Sequence, residues 1–145
     1  MPHLSVPFSG DGPLIDLYVG VSLQRRKALE NAGQATPPFQ KARALIDTGA
    51  SATCIDPTVL RPLGLTATGA ISIHTPSTSG KPYTCEQYDV ALGIHHPKDS
   101  MMLLTVPVIA TELTSQGISA LIGRDVLASC LLIYDGISGT FTLAF

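Results

Sequence analysis

Short apolar segments, separated by frequent glycines and prolines, make up most of the chain. "LIDLYVGVS" and "TFTLAF" alternate apolar and polar positions, which is typical of strands with one buried face. The apolar segments are rich in Val, Ile, Leu, Thr and Tyr and are interrupted by 13 glycines and 11 prolines, a pattern that favours strands. The sequence therefore predicts strands over residues 4–8, 14–22, 42–47, 68–74, 83–94, 102–109, 119–122, 130–135 and 140–145.

Helix signals are few and short. Asp56 followed by Pro57 is typical of an N-cap with proline at the first helical position, and the helix that they begin should end near Gly64. A helix of about one or two turns is predicted after Gly123, over "GRDVLASC", and Thr111 is predicted to cap a turn. None of these helices is long enough to organise the fold.

Residues 23–41 are expected to form an exposed loop. They include "RRKALENAGQATPP", which is polar and ends in two prolines. Polar connections of this kind usually run over the surface of a domain.

Length and charge narrow the class of protein. A chain of 145 residues corresponds to one domain, 1–145, with a sizeable core. Only 14% of the residues are charged and the net charge is -2, which leaves room for an interface with a second copy and does not predict nucleic-acid binding. The longest apolar run, 101–110, is too short for a membrane span and contains Pro107. Without signal-peptide features at the N-terminus, a soluble, cytoplasmic protein is expected.

The cysteines and histidines do not predict a metal site or a cofactor. The three cysteines lack metal-ligand spacing and are interpreted as small buried hydrophobic residues in a reducing compartment. His95 and His96 are adjacent and would point to opposite faces of a strand, and no Cys or carboxylate joins them or His74 at ligand spacing. Ser51 has no histidine at a recognisable motif distance that would make it a nucleophile.

The acidic triplet Asp47-Thr48-Gly49 directly follows the apolar run 44–46. An ionised Asp in apolar surroundings is costly to desolvate, so the triplet is either an ordinary strand-to-turn junction or a carboxylate held in a protected site. The surrounding sequence is "ALIDTGAS", and "ALIGRDVL" follows much later in the chain.

These two segments carry a resemblance to a known family. "ALIDTGAS" resembles the active-site signature of aspartic proteases, and "ALIGRDVL" is similar to the segment that opens the short C-terminal helix of retropepsins. The resemblance covers about residues 42–145 and is closer to bacterial or phage-type single-domain members than to the shorter viral ones. It implies an all-β, closed retropepsin-like barrel with one short C-terminal helix, active as a symmetric homodimer.

The resemblance also implies roles for individual residues. The predicted catalytic residues are Asp47, Thr48 and Gly49, with Thr48 bonded across to the opposite loop. A β-hairpin flap is expected over 72–88, although the segment also fits an ordinary exposed hairpin. The residues predicted to contact substrate are Ala50, Ser51, Thr78, Ser79, Gly80, Ile122 and Gly123, and those predicted to support the site are Arg124 and Asp125.

The number of motifs bears on the quaternary structure. Peptide hydrolysis without metal or covalent intermediate can use two carboxylates that share one proton, and this chain carries a single Asp-Thr-Gly. The second carboxylate is therefore expected from Asp47 of a second copy across a two-fold axis. The predicted function is an aspartic endopeptidase acting on extended polypeptides. The alternative is a non-catalytic dimeric module with the same fold that binds peptides or serves in assembly.

Three points depart from the best-known viral members or stay open. Ser51 stands where those members have an acidic partner for the helix-opening arginine, so Arg124 is expected to pair with a carboxylate such as Asp125 of the same or the other chain. The terminal strand 140–145 is expected either at the dimer interface or in the core of its own subunit. The run 101–104 is interpreted as a core or interface strand.

Overall fold

The computed structural model describes residues 1–74 and 80–145, which form ten strands and a few short helices. The strands are β1 (His3–Pro7), β2 (Leu14–Val21), β3 (Gln40–Ile46), β4 (Cys54–Ile55), β5 (Gly69–Ile73), β6 (Tyr83–Ile94), β7 (Met101–Ala110), β8 (Ala120–Ile122), β9 (Leu131–Asp135) and β10 (Thr140–Ala144). The helices are α1 (Leu23–Asn31), α2 (Pro57–Leu60) and α3 (Arg124–Leu127), with 3-10 turns at Arg61–Leu63 and Thr114–Gln116. Every predicted strand is present, and the two-residue strand β4 was not predicted.

Six of these strands close into a barrel. Their order is β2-β3-β8-β4-β7-β6, and β6 pairs back with β2. The inward-facing side chains of Leu17, Val19, Val90, Leu92 and Val108 are fully buried, because alternate residues of a strand point to the same face. The predicted all-β fold with a closed barrel is confirmed.

The two ends of the chain meet in a separate three-stranded sheet, in which β10 lies between β1 and β9. Both of its pairings are antiparallel, and the side chains of Phe141 and Leu143 are fully buried in the main core. Of the two positions left open by the sequence, the structure thus shows β10 in the core of its own subunit. β9 is an edge strand of this sheet, and its Leu131 and Ile133 side chains are each 52% exposed.

The predicted loop at 23–41 is wrong over its first half, where α1 forms. The Ser22 hydroxyl accepts a hydrogen bond from the Arg25 backbone N–H, which caps the helix. Only Leu29 of α1 is buried, so the apolar periodicity that indicates a helix is missing from the sequence. The helix is held against β7 by Gln24, whose side-chain oxygen accepts a hydrogen bond of 2.8 Å from the Thr105 hydroxyl. Most of α1 is exposed, as expected for this segment.

The two predicted caps have different outcomes. Asp56 caps α2 as predicted, because its carboxylate accepts a hydrogen bond of 2.9 Å from the Thr58 backbone N–H. The turn at 114–116 is capped by Glu112 and not by Thr111. The Glu112 carboxylate accepts hydrogen bonds from the Thr114 hydroxyl (2.8 Å) and the Ser115 backbone N–H (2.9 Å).

The predicted hairpin is formed by β5 and β6, which pair antiparallel from Gly69↔Gln87 to Ile73↔Tyr83. Gly80 lies in a turn with φ +78, a left-handed conformation that glycine adopts without strain. Thr78 and Ser79, which were predicted to contact substrate, lie outside the described residues. The role of this hairpin as a flap stays a prediction.

Strand β7 has one face towards the core and one towards the surface. Met101 and Leu103 pack against the main core, whereas Met102 and Leu104 are 46% and 45% exposed. In residues 1–74 and 80–145, no helix combines the length and apolar character needed to cross a membrane.

Replacing Leu143 should show that β10 belongs to the subunit core. Leu143→Ala removes a fully buried side chain and should lower the free energy of unfolding by about 2–5 kcal/mol, because the cavity adds to the lost transfer energy. The measurement is urea unfolding followed by circular dichroism. Ile137→Ala in the adjacent turn, at a fully exposed position, should change stability by less than about 0.5 kcal/mol. Equal effects of the two substitutions would contradict the assignment.

Candidate active site

Asp47 is the first residue after β3, and the structure explains its place. Its backbone N–H donates to the Ile122 carbonyl at 3.0 Å, which extends the parallel pairing of β3 and β8 by one residue. The Asp47 carboxylate accepts a hydrogen bond of 2.9 Å from the Gly49 backbone N–H. Asp47 is half-buried, and Thr48 and Gly49 are exposed. The carboxylate is therefore held at the surface of the subunit by its own loop.

The loop 47–53 is fastened to the segment that follows β8 by a side-chain lock, which consists of Thr53 and Asp125. The Thr53 backbone N–H and hydroxyl donate to the two oxygens of the Asp125 carboxylate at 2.9 and 2.8 Å. The Thr53 hydroxyl also accepts a hydrogen bond of 3.1 Å from the Gly123 backbone N–H. Thr53 is fully buried, and every polar group in the lock has a partner. Thr53 was missed from the sequence, where the only hint is a polar residue at the start of an apolar strand.

Gly123 lies where the segment that follows β8 contacts the loop 47–53, and this contact requires a glycine. A Cβ atom at this position would lie 2.6 and 2.7 Å from the backbone carbon and oxygen of Ala52. Backbone atoms cannot move aside as a flexible side chain could, so only glycine fits here without a shift of the loop. Gly123, predicted to contact substrate, has this packing role in the structure.

In the part of one subunit that the structure describes, Arg124 pairs with no carboxylate, so the expected pairing with Asp125 of the same chain is wrong, and a pairing with the other chain stays a prediction. Its guanidinium donates to the backbone carbonyl oxygens of Thr48 at 2.9 Å and Gly49 at 3.0 Å, and its backbone N–H donates to the Ala50 carbonyl at 3.0 Å. Asp125 accepts hydrogen bonds from Thr53, and Arg124 supplies donors to the backbone carbonyls of the loop. Both residues thus contact the loop that carries Asp47, as their predicted supporting role requires.

The two faces of β3 and β8 separate the core from the site. Ile122 is fully buried in the main core, and the contact of this residue with substrate stays a prediction. Leu45 and Asp47 are two residues apart and share the opposite face, and Leu121 pairs with Leu45 in the parallel register. Both leucines are partly exposed. The apolar surface on the side of the Asp47 carboxylate therefore comes from Leu45 and Leu121.

A second, smaller apolar cluster lies on this side of the sheet. Its buried members are Leu14, Leu113 and Ile118, and Leu45, Cys54 and Leu121 pack against them. Burial raises the pKa of the Cys54 thiol, which keeps it protonated and consistent with a hydrophobic role. Cys85 is buried, and Cys54 and Cys130 are partly buried, all as free thiols.

Asp56 is a buried carboxylate directly after β4, and it was predicted only as a helix cap. One oxygen accepts hydrogen bonds from Thr58, and the other accepts from the backbone N–H groups of Leu113 at 2.7 Å and Thr114 at 3.1 Å. Burial alone would raise the pKa of Asp56, but the hydrogen bonds from Leu113, Thr58 and Thr114 outweigh it and hold the pKa below its ordinary value. Asp56 is therefore ionised in the folded protein at neutral pH.

The remaining predicted residues lie around the loop or the hairpin. Ala50 is partly buried and Ser51 is exposed on the loop, and Gly80 lies in the separate hairpin. Within the described ranges, no group of three or more His, Cys, Asp and Glu side chains is arranged to hold a metal ion.

A closed barrel with an Asp-Thr-Gly loop locked to a Gly-Arg-Asp segment defines the aspartic protease class. A family model described as retroviral aspartyl protease matches residues 11–133. The chain belongs to this family and is an aspartic-type endopeptidase. A search of curated proteins finds no match. Among solved structures, the chain is similar to a retropepsin-like aspartic protease from Rickettsia conorii, with a TM-score of 0.62 and 15% identity over 99% of this chain and 90% of that one. That likeness supports the fold.

Placing a methyl group at the contact of the two segments should disrupt the site. Gly123→Ala should lower the free energy of unfolding by about 1–3 kcal/mol, because the added carbon meets backbone that has to shift. Urea unfolding gives the change. Gly136→Ala is the matched control, because a Cβ there would meet only a Tyr134 ring carbon at 3.9 Å. An unfolding energy unchanged by Gly123→Ala would contradict the close approach.

The depressed pKa of Asp56 predicts a stability term that depends on pH. Because its pKa is lower in the folded than in the unfolded protein, its contribution is complete above the unfolded value of about 4 and is lost as pH falls through the folded value. Asp56→Asn should therefore cost about 2 kcal/mol or more at pH of about 6, and this cost should shrink below pH of about 4. Urea midpoints of both proteins across this range measure it. A cost that is constant with pH would contradict the assignment.

Proposed function

We propose that this protein hydrolyses peptide bonds of extended polypeptides through a water molecule activated by two copies of Asp47, one from each subunit of a homodimer. The observation that carries the proposal is the setting of the Asp47 carboxylate, which is half-buried and accepts a hydrogen bond from Gly49. The loop that carries it is held by hydrogen bonds of Thr53, Asp125 and Arg124. An ordinary strand-to-turn junction has no need of such support.

The chemistry follows from two carboxylates at close range. Like charges a few ångströms apart cannot both ionise, so the pair shares one proton. The ionised carboxylate takes a proton from water as the water attacks the scissile carbonyl, and the protonated carboxylate donates to the carbonyl oxygen. The acid and base roles belong to the pair and not to one subunit.

A second copy of the chain is the source of the second carboxylate in this proposal. Thr48 and Gly49 are exposed beside Asp47, so the loop is accessible to a partner. The edge strand β9 adds exposed apolar side chains at Leu131 and Ile133, and edge strands with such side chains favour pairing with another chain. Both features are surfaces that dimerisation would bury.

An extended polypeptide is the proposed substrate because the site is bordered by strands. An extended segment can add its backbone hydrogen bonds to neighbouring strands, while side-chain pockets select alternate residues. The apolar surface of Leu45 and Leu121 beside the carboxylate favours apolar side chains near the scissile bond. The hairpin of β5 and β6 would cover the bound segment as a flap.

Removing the Asp47 carboxylate should abolish cleavage without unfolding the protein. Asp47→Asn should lower kcat/KM by about 10³-fold or more, because neither acid nor base can be supplied by the amide. Cleavage of a mixed peptide library at pH of about 3 to 7, with sedimentation at each pH, measures activity and oligomeric state together. Asp16→Asn is the matched control, since Asp16 is a partly exposed carboxylate in an ion pair with Lys41, and it should leave activity unchanged.

Mixing the two proteins tests whether the site is shared. We compare the activity of an equal mixture of wild type and Asp47→Asn, after subunit exchange, with that of the same total amount of wild-type dimer. About one quarter of the wild-type activity should remain if each site needs both carboxylates. About one half would remain if each subunit worked alone, which would contradict the shared site. A folded dimer that binds library peptides but cleaves none would favour the non-catalytic module.

A further inference from the structure

We propose that Asp56 is a positioning residue that holds segment 112–118 as one wall of the peptide-binding site, so that it controls substrate affinity and not the chemical step. This inference rests on the proposed function. It assigns Asp56 a role beyond the helix cap that its sequence position predicts.

The hydrogen bonds of Asp56 connect two parts of the chain that are distant in sequence. Oδ1 accepts from the backbone N–H (2.9 Å) and the hydroxyl (2.7 Å) of Thr58, at the start of α2. Oδ2 accepts from the backbone N–H groups of Leu113 (2.7 Å) and Thr114 (3.1 Å). A cap alone uses one oxygen, so the second oxygen is available to anchor segment 112–118. The side chain is 1% exposed, which makes these charge-assisted bonds strong and any unpaired donor costly.

The anchored segment lies against the face that carries the catalytic carboxylate. Leu113, whose N–H binds Asp56, is 1% exposed and packs with Ile118 in the smaller apolar cluster. Leu45 and Leu121 pack against the same cluster, and Leu45 shares its face of β3 with Asp47. A movement of segment 112–118 would therefore change the apolar surface beside Asp47 without touching the carboxylate.

The catalytic loop has its own, separate support. Asp47 is held through Gly49, and its loop is held by Thr53, Asp125 and Arg124. None of these hydrogen bonds involves Asp56. Loss of the Asp56 anchor should consequently weaken binding of the substrate while the acid–base geometry persists.

The test replaces Asp56 by the amide of the same shape. The Asn side chain has only one acceptor oxygen, so its NH₂ group faces backbone N–H donors whichever way it is oriented. When the oxygen keeps the α2 cap, Leu113 and Thr114 lose their acceptor. We expect KM for a cleaved library peptide to rise about three- to tenfold and kcat to stay within about twofold. Amide hydrogen exchange at Leu113 and Thr114 should become faster.

Asp135→Asn is the matched control. Asp135 also accepts backbone N–H bonds from two following residues, Ile137 at 3.0 Å and Ser138 at 3.1 Å, but it lies in the turn of the terminal sheet. It should leave KM and the exchange at Leu113 unchanged. If Asp56→Asn does not fold, Leu113→Val keeps the anchor and weakens the packing of the same segment, and it should raise KM in the same way.

Two outcomes would overturn the inference. One is a fall in kcat with KM unchanged, and the other is faster exchange at Leu113 and Thr114 without any change in KM. Peptide affinity is also measured by fluorescence polarisation in Asp47→Asn, with and without Asp56→Asn. If wild type cleaves no peptide, the proposed function fails separately, and the inference then stands on weaker peptide binding in the double variant or falls on unchanged binding.

Discussion

The lock between Thr53 and Asp125 is the interaction on which the rest of the site depends. The loop 47–53 leaves the barrel after β3 and returns to it at β4, with β8 paired between the two strands. Backbone pairing alone does not determine the path of the loop outside the barrel. The two hydrogen bonds to Asp125, together with the close approach of Gly123 to Ala52, determine that path and so the place of Asp47.

Three charged side chains, Arg124, Asp125 and Asp56, bind backbone atoms of irregular segments. Arg124 donates to two carbonyls, Asp125 accepts a backbone N–H from Thr53, and Asp56 accepts backbone N–H groups of three residues. In the described residues, no buried side-chain nitrogen or oxygen lacks a hydrogen-bond partner. Irregular loops are costly to bury because their backbone groups lack strand partners, and these side chains supply the partners.

The two faces of β3 and β8 have different roles, because one packs into the main core and the other carries the smaller apolar cluster. Ile46 and Ile122 belong to the main core, while Leu45 and Leu121 pack in the smaller cluster on the other face, which alternation along the strand assigns to Asp47 as well. The strands thus carry the apolar surroundings of the carboxylate, while its own loop holds the carboxylate and leaves Thr48 and Gly49 exposed. The same alternation explains why a motif that ends a strand can supply a functional group without disturbing the core.

Local patterns in the sequence by themselves determined every strand of the described residues except β4, the Asp56 cap and the Asp-Thr-Gly motif, because alternation, capping and turn chemistry act between near neighbours. Helix α1 was missed because it buries only Leu29 and so lacks periodicity. Only the tertiary structure decided that Arg124 binds carbonyls, that Thr53 binds Asp125, that Ile122 lies in the main core while Leu121 packs against the smaller cluster, and that β10 lies in its own core. These contacts join segments distant in the chain, and the order of residues between two segments does not specify which side chains meet when the barrel closes.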